Sequence, residues 1–290
     1  SGHEFKKSIP FNSVYFTGLV RDKLGRKMSK QLGNSPDALR LIDKFGADSV
    51  RVGLLFSAPA GNDLLFDESL CQQGKNFSNK IWNSLRLLKS WKVSEKLKEC
   101  ESSAIASKWF DSKFNLKLIE IEDHFKKYRI SDALITIYKL IWEDYCSWYL
   151  EIVKPNYSEQ IDYVTFNNTL QYFKKCLKIL HPFMPFVTEE IWSLIKEKKD
   201  SPLIVSNWPE PKPFDIKFLD NFKHIKKVIT NIRKFRNENS YSFSKKLNIV
   251  TKSNFNNKFS GIILKLTNAH VESKKIKILN NKNSILVDSK

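Results

Sequence analysis

The chain has 290 residues, of which 41% are hydrophobic and 13% aromatic, enough for two domains with buried cores. Lysine and arginine number 49 against 31 aspartates and glutamates, so the formal net charge is +18. This excess predicts a polyanionic partner, above all nucleic acid, although an AT-rich genome also favours lysine. The four cysteines are widely spaced, which argues against a zinc site or a disulfide framework, and the apolar runs are too short to span a membrane.

A basic loop is predicted at residues 26–34, which read Arg-Lys-Met-Ser-Lys-Gln-Leu-Gly-Asn. The β-branched and aromatic run before it, 14–19, predicts a strand. Ser35 as N-cap and Pro36 as first helical residue predict a helix from Pro36 to Lys44. The loop would therefore lie between a strand and a helix start, where backbone N–H groups and the helix dipole favour an anion. A solvated surface loop is the plain alternative.

The remaining elements are predicted in chain order. The sequence predicts helices over 47–56, 73–91, 105–127, 131–154, 158–180, 186–196, 215–239 and 259–266, with apolar residues three and four apart in the 73–91 helix. A loop is predicted at 57–62, and strands at 201–208, 247–250 and 284–287. Asp67 or Ser69 is the predicted cap of the 73–91 helix. The helix at 131–154 is apolar on nearly every side, which predicts a central position.

One polar helix face is a candidate RNA contact. Lys75, Asn79, Asn83 and Arg86 fall at i, i+4, i+8 and i+11 and so share a face of their helix. Asparagine can read a base edge, and arginine can contact a phosphate or stack under an unstacked base. An ordinary solvated helix face is the alternative. The basic helix at 215–239 is a second candidate for contact with an RNA backbone.

Several other residues are predicted to be structural. Trp82, Trp148 and Trp192 fall on apolar helix faces and are expected in the core. His181 lies between two helices and before a proline, which indicates capping or packing rather than catalysis.

The basic loop also carries a family resemblance. Lys27-Met28-Ser29-Lys30 with Leu32-Gly33-Asn34 resembles the KMSKS signature of class I aminoacyl-tRNA synthetases, with Gln31 in place of the usual final serine. Four further runs, 15–22, 46–51, 76–86 and 181–192, are similar to the C-terminal part of bacterial valyl-tRNA synthetases. The choice of valine over isoleucine or leucine depends on residues 61–63, 66–67 and 79–83, which do not form the amino acid pocket.

The resemblance implies a mostly α fold. It predicts the KMSKS end of a class I catalytic domain at 1–68, an antiparallel anticodon-binding helix bundle at 69–213 and a small α/β subdomain at 214–290. His3 stands without the other residues of a HIGH motif. The chain is therefore expected to be a fragment that lacks the nucleotide-binding half and the editing domain and is inactive alone.

The same resemblance implies an activity and its residues. The full enzyme would activate valine with ATP and Mg²⁺ and transfer it to tRNA(Val). Lys27 and Lys30 would be catalytic, since mobile ammonium groups stabilise charge as pyrophosphate leaves. ATP would be bound by Lys27, Met28, Ser29 and Lys30, and tRNA by Lys75, Asn79, Asn83 and Arg86.

A monomeric, cytoplasmic protein with no membrane partner and no tightly bound metal in this part is expected. The alternatives are an isoleucyl- or leucyl-tRNA synthetase fragment, or a non-enzymatic basic helical RNA-binding module with an accidental KMSK.

Overall fold

The computed structural model describes residues 2–16, 18–57, 63–251, 257–273 and 284–286. This part of the chain is mostly helical and forms two compact units. The first unit consists of Ser1–Trp82, Ile119–Tyr138 and Leu177–Trp208. The second consists of Asn83–Leu118, Lys139–Cys176 and Pro209–Lys290. No helix of the described residues is both long and apolar enough to cross a membrane.

The elements are numbered in chain order. The helices are α1 (Gly2–Lys6), α2 (Ala38–Phe45), α3 (Ala47–Phe56), α4 (Glu68–Ser90), α5 (Glu101–Lys126), α6 (Ile130–Lys139), a π-helical segment (Leu140–Tyr149), α7 (Leu150–Val153), α8 (Tyr163–Leu180), α9 (Pro185–Ile195), α10 (Ile216–Glu238) and α11 (Ser260–Thr267). The strands are β1 (Val20–Arg21), β2 (Leu64–Leu65), β3 (Lys92–Ser94), β4 (Gln160–Asp162), β5 (Leu247–Thr251), β6 (Ala269–Ser273) and β7 (Ser284–Leu286). Short 3₁₀ turns cover Leu203–Val205 and Asn257–Phe259.

Most predicted helices are confirmed, with changes at their ends. The prediction for 47–56 matches α3 at both ends. The prediction for α2 was wrong by two residues, because Asp37 rather than Ser35 is the N-cap and its carboxylate accepts a hydrogen bond from Leu39 N at 2.9 Å. Asp67 is the cap of α4 and accepts from Ser69 N at 2.8 Å. The predicted 57–62 loop lies outside the described residues beyond Ser57.

The predicted strand at 14–19 was wrong in the described residues. The strand there is β1, which begins at Val20 and pairs in parallel with β2. Val14, Tyr15, Phe16 and Leu19 are exposed. Within the described ranges no strand includes 14–16 or 18–19, and the pairing with β2 begins at Leu19 O, which accepts from Leu64 N at 2.9 Å. A parallel strand needs a neighbour for its backbone groups and cover on both faces, and a β-rich composition supplies neither.

The predicted strand at 201–208 was also wrong. Residues Leu203–Val205 form a 3₁₀ turn instead. Side chains of α9 take up the polar backbone groups here, since Glu189 Oε1 accepts from Leu203 N at 3.1 Å and Trp192 Nε1 donates to Ser201 O at 2.9 Å. The backbone therefore has partners without a neighbouring strand.

The small α/β part of the second unit agrees with the prediction. Strands β6, β5 and β7 form a parallel sheet in that order, and α10 and α11 belong to the same unit. The predicted strands at 247–250 and 284–286 are confirmed, whereas position 287 lies outside the described residues.

A long helical stretch from Ile130 to Val153 is largely buried, as its apolar pattern predicts. It passes from α6 through the π-helical segment into α7. In the second unit, Tyr145 and Tyr149 are fully buried against Phe110, with ring centroids 5.3 and 5.2 Å away. Their hydroxyls have partners, because Tyr145 donates to Thr169 O at 3.1 Å and the Tyr149 hydroxyl lies 3.0 Å from that of Thr169. Buried hydroxyls are stable only when bonded in this way.

Two of the family-like runs, 46–51 and 181–192, meet in the first unit. The buried carboxylate of Asp48 accepts from Phe186 N at 3.3 Å and from Val187 N at 2.7 Å, so it caps the first turn of α9. Arg51 donates to Phe183 O at 3.1 Å and to Pro182 O at 3.0 Å. Burial raises the pKa of Asp48, and its bonds to the two α9 amides act against that rise.

The predicted structural residues divide between core and surface. His181 is buried, and its Nδ1 lies 2.8 Å from Thr188 Oγ1, which confirms a packing role. Trp192 is buried as predicted, whereas Trp148 is half-buried. The prediction for Trp82 was wrong, because this residue is exposed. It follows Ile81, which points into the core, and one helical step turns a side chain by about 100°.

Candidate functional site

The basic loop begins with a tight turn between β1 and Lys27. Lys27 bridges Arg21 in antiparallel fashion, and Met28 N donates to Val20 O at 3.2 Å. Asp22 N donates to Arg26 O at 2.9 Å, and Gly25 has a φ of +77°. A residue with a β-carbon would be strained at that φ, so glycine fits the turn. The turn directs the chain back along β1 and so fixes the backbone position of Lys27, the first of the two lysines.

The side chain of Asn34 holds the loop closed from its far end. Its Oδ1 accepts from Ser29 N at 2.9 Å, and its Nδ2 donates to Lys27 O at 3.2 Å and to Asp22 Oδ2 at 3.0 Å. Asp22 is also bonded by Arg26, at 2.8 Å from Nε. These bonds, that from Asn34 first, hold the pKa of Asp22 well below its usual range. One amide thus joins three parts of the loop.

Met28 attaches the loop to the core of the first unit. It is half-buried and packs against the cluster formed by Leu41, Phe45, Val50, Leu64, Phe66 and Cys71. A methionine side chain is unbranched and fills irregular gaps well. The residue predicted as part of an ATP site is therefore placed as an apolar anchor between two charged neighbours.

Lys27 and Lys30 are both exposed, on either side of that anchor. Among the described residues neither ammonium group forms an ion pair or a side-chain hydrogen bond. Ser29 is engaged within the loop, since its hydroxyl accepts from Gln31 N at 3.2 Å. Gly33 completes the turn with a φ of +64° and donates to Lys30 O at 3.2 Å. The arrangement presents two free cations from a short anchored segment, which suits a phosphate-bearing ligand.

Two residues that shape this site were missed by sequence reasoning. Asp22 lies in the run 15–22 and Asn34 in the basic loop, but the sequence patterns predict no role for either residue. An asparagine after glycine in a turn commonly binds nearby backbone groups, and this signal could have identified Asn34. Its link to Asp22, twelve positions away, has no counterpart in any local pattern.

The predicted RNA-facing residues of α4 differ in their surroundings. In the first unit, Lys75 is half-buried and donates to Lys44 O at 3.0 Å in the last turn of α2, whereas Asn79 is exposed. In the second unit, Asn83 and Arg86 are both exposed. Within the described part of the chain, the side chains of Asn79, Asn83 and Arg86 have no hydrogen-bond partner. Three of the four polar groups are therefore open to a ligand, and the fourth is used within the fold.

No cluster of three or more histidine, cysteine or acidic side chains able to hold a metal ion occurs in the described ranges.

Two protein-family models match this chain, one over the basic loop and one over most of the helical part. A family described as the anticodon-binding domain of tRNA ligase matches residues 107–251, which is half of the chain. A second, described as tRNA synthetases class I (I, L, M and V), matches residues 1–67 and so includes the basic loop.

Curated relatives extend the similarity over nearly the whole sequence. The valine–tRNA ligase of Christiangramia forsetii is 51% identical over 271 residues, which is 92% of this chain and 31% of the relative. That of Parabacteroides distasonis is 46% identical over 94% of this chain and 32% of the relative. That of Fusobacterium nucleatum is 37% identical over 86% of this chain and 29% of the relative. The chain thus spans less than a third of the length of these relatives.

A solved structure supports the fold. Methionyl-tRNA synthetase of Mycobacterium tuberculosis, solved in complex with methionyl-adenylate, superposes with a TM-score of 0.51 at 21% identity, over 68% of this chain and 41% of that one. With the anticodon-binding match over half of its length, the chain belongs to the family of tRNA ligases that carry this domain.

Proposed function

We propose that this chain supplies the nucleotide loop and the anticodon-side RNA-binding part of a valine–tRNA ligase. Support comes from relatives of that name that match 92% and 94% of the chain at 51% and 46% identity. In this proposal residues 1–68 end the catalytic domain, 69–213 form the anticodon-binding bundle and 214–290 form the small subdomain. The whole ligase acts as a cytoplasmic monomer, and this part alone does not activate an amino acid.

The observation that carries the proposal is the pair of free lysines at the basic loop. Lys27 and Lys30 are exposed, and among the described residues neither ammonium group has an ion pair or hydrogen bond, while Met28 between them packs against the core. In the proposed reaction MgATP is the substrate, and the valine carboxylate displaces pyrophosphate from the α-phosphate. Negative charge grows on the departing phosphates, and two positioned ammonium groups stabilise it. Ser29 and Met28 position that pair rather than supply charge.

Substitution of the two lysines in the full-length ligase tests this role. Lys27→Ala and Lys30→Ala should each slow valine-dependent ATP–pyrophosphate exchange roughly 10²- to 10³-fold, the usual loss of one charge-stabilising group. Affinity for tRNA should hardly change. Lys23→Ala is the matched control, because Lys23 is an exposed lysine of the preceding turn that pairs with Asp67 at 3.1 Å. Exchange at the wild-type rate in both loop variants would contradict the assignment.

The RNA-binding part of the proposal depends on α4 and on the charge of the chain. Asn79, Asn83 and Arg86 present free amide and guanidinium groups, which suit base edges and phosphates of an anticodon loop. Lys75 stays a prediction, because its ammonium group would have to leave Lys44 O to reach an RNA. Asn83→Ala and Arg86→Ala should each weaken tRNA(Val) binding about tenfold without slowing valine activation. Gln72→Ala, an exposed residue near the other end of α4, is the control.

Binding to different tRNAs decides between the competing hypotheses. The chain should bind tRNA(Val) more tightly than tRNA(Ile), tRNA(Leu) or an unrelated RNA of equal length, with all affinities measured at one ionic strength. Preference for an isoleucine or leucine tRNA would replace valine by that amino acid in the proposed function. Equal affinity for every RNA would replace the proposal with a general basic RNA-binding module.

A further inference from the structure

The second unit contains a cavity that neither the basic loop nor the polar face of α4 uses. Its volume is about 650 Å³, and α5, the π-helical segment and α10 line it. We call it the lysine–tryptophan cavity after Trp109, Trp148, Lys223, Lys226 and Lys227 in its wall. A volume of this size lies within the range of about 300–1,000 Å³ typical of small-molecule sites.

The inner part of the cavity is fixed by one buried carboxylate. Asp144 Oδ1 lies 3.0 Å from Lys226 Nζ, and its Oδ2 lies 3.8 Å from Lys113 Nζ. Lys226 Nζ also lies 4.6 Å from the ring centroid of Trp148 and 5.2 Å from that of Trp109. A cation held by a carboxylate and two indoles loses little further freedom when an anion approaches. The inner cation is thus preorganised.

The rim of the cavity carries charge without local compensation. Lys223 and Lys227 are exposed, and within the described ranges neither forms an ion pair or a side-chain hydrogen bond. They lie four residues apart on α10, so their like charges destabilise the helix slightly. Asp220 is the other acidic residue of the wall besides Asp144, so four lysines face two aspartates. The cavity therefore favours an anionic ligand.

The aromatic wall narrows the choice of anion. Trp109 is buried and stacks on Phe222 at 4.5 Å, and Trp148 is half-buried. Lys226 and Arg233 lie 4.6 and 5.5 Å from the ring centroid of Trp148, so the aromatic surface left for a ligand is the exposed part of Trp148. A bare phosphate would leave that surface unused, and an apolar ligand would leave the rim lysines unused. A nucleotide uses both, since a base contacts an aromatic surface regardless of its sequence and its phosphate binds ammonium groups. Free nucleotides and RNA strands share this chemistry.

We propose that the lysine–tryptophan cavity binds one unstacked nucleotide of an RNA strand, with the adjoining phosphates on Lys223 and Lys227. The proposal rests on the proposed tRNA-binding function and adds a contact separate from the exposed face of α4. The size of the positive excess favours a polymeric RNA over a free nucleotide, because each neutralised phosphate also releases a counterion.

The test measures tRNA(Val) binding by the 290-residue chain at several salt concentrations. The double variant Lys223→Gln with Lys227→Gln should bind roughly five- to thirty-fold more weakly than wild type. Its slope of log affinity against log salt should become shallower by about 0.7 for each phosphate that the lysines no longer neutralise. Both substituted side chains are exposed, so the fold is kept. Lys217→Gln is the matched control, because Lys217 is an exposed lysine of α10 outside the cavity wall.

Three results separate the possible failures. A double variant that binds tRNA(Val) like the Lys217 control, with an unchanged salt slope, would overturn the cavity proposal while leaving the proposed function in place. Wild-type chain that shows no preference for tRNA(Val) would overturn the proposed function itself. Equilibrium dialysis with AMP or UMP tests whether the cavity binds a free nucleotide instead of an RNA strand. Retention of either nucleotide that depends on Lys223 and Lys227, with tRNA affinity unaffected, would assign the cavity to free nucleotides.

Discussion

Arg236 holds together the small α/β part of the second unit, and its replacement has a calculable cost. The residue is buried, with 4% of its surface exposed. Its Nε donates to Thr267 O at 2.9 Å and Nη1 to Ser242 O at 2.8 Å, while Nη2 donates to Lys245 O at 2.7 Å and Asn268 O at 3.1 Å. Four carbonyls from two segments of chain, 242–245 and 267–268, therefore depend on one guanidinium.

The expected loss follows from those four bonds. Arg236→Met keeps the length of the side chain but removes every donor, and each bond contributes about 1 kcal/mol net, so the local free energy of unfolding should fall by about 3–5 kcal/mol. Backbone hydrogen exchange at β5 and β6 measures this directly. Protection there should fall by about two to three and a half orders of magnitude, since about 1.4 kcal/mol equals a factor of ten.

Two further variants sharpen the experiment. Arg236→Lys keeps the charge but replaces the planar fork by a single nitrogen, and should recover only part of the protection. Lys234→Met removes an exposed cation from the same helix and should leave β5 and β6 unchanged. If Arg236→Met lowers protection by less than about tenfold, the four hydrogen bonds do not hold this part together and the reasoning is refuted.

Three other predictions concern the first unit. Asn34→Ala removes the bonds to Ser29 N and Lys27 O, so valine activation by the full-length ligase should fall about tenfold in pyrophosphate exchange while tRNA affinity stays the same. Gly74→Ala would normally stabilise a helix, but the new β-carbon would lie 2.6 Å from Ser49 O, so urea unfolding should show a loss of about 1–3 kcal/mol; a gain would contradict the close contact. Burial lowers the pKa of His181 in the folded chain. Below about pH 6.5 the unfolded chain therefore takes up a proton at this residue that the folded chain does not. The free energy of unfolding should be highest above that pH and should fall as the pH is lowered. His181→Gln should flatten the dependence of the urea midpoint on pH between about 7.5 and 5.5, and an unchanged dependence would assign it to other groups.

The helical part of this fold could be predicted from sequence because its signals are local. Both ends of α3 could be predicted from Gly46 before it and from the proline and glycine in the sequence after it. The apolar residues around Tyr145 and Tyr149 predicted that their helix is buried, as it is. The prediction that Trp82 is buried was wrong, because apolar spacing does not fix which of two neighbouring apolar residues faces the core. Trp82 lies a single helical step from Ile81, which is the buried one. The π-helical form of residues Leu140–Tyr149 has no signal in the apolar pattern.

The strands and the loop contacts could not be predicted in the same way, because they depend on distant partners. The run at 14–19 has a β-rich composition, but its contact with β2 begins at its last residue, where Leu19 O accepts from Leu64 N, so β1 is limited to Val20–Arg21. The role predicted for the lysines of the basic loop comes from the resemblance to a family signature and stays a prediction. The bond between Asn34 and Asp22, which shapes that loop, joins residues that no periodicity relates.

Fixing the basic loop through Met28 has a consequence for its motion. The thioether side chain has three rotatable bonds and can keep its apolar contacts while the backbone above it shifts. Lys27 and Lys30 are close neighbours of this pivot, so a swing of the loop carries both ammonium groups together. A β-branched residue at position 28 could keep the apolar contacts of the loop, but its side chain has fewer rotatable bonds. Such a substitution would restrict the motion of the loop while leaving it attached to the core.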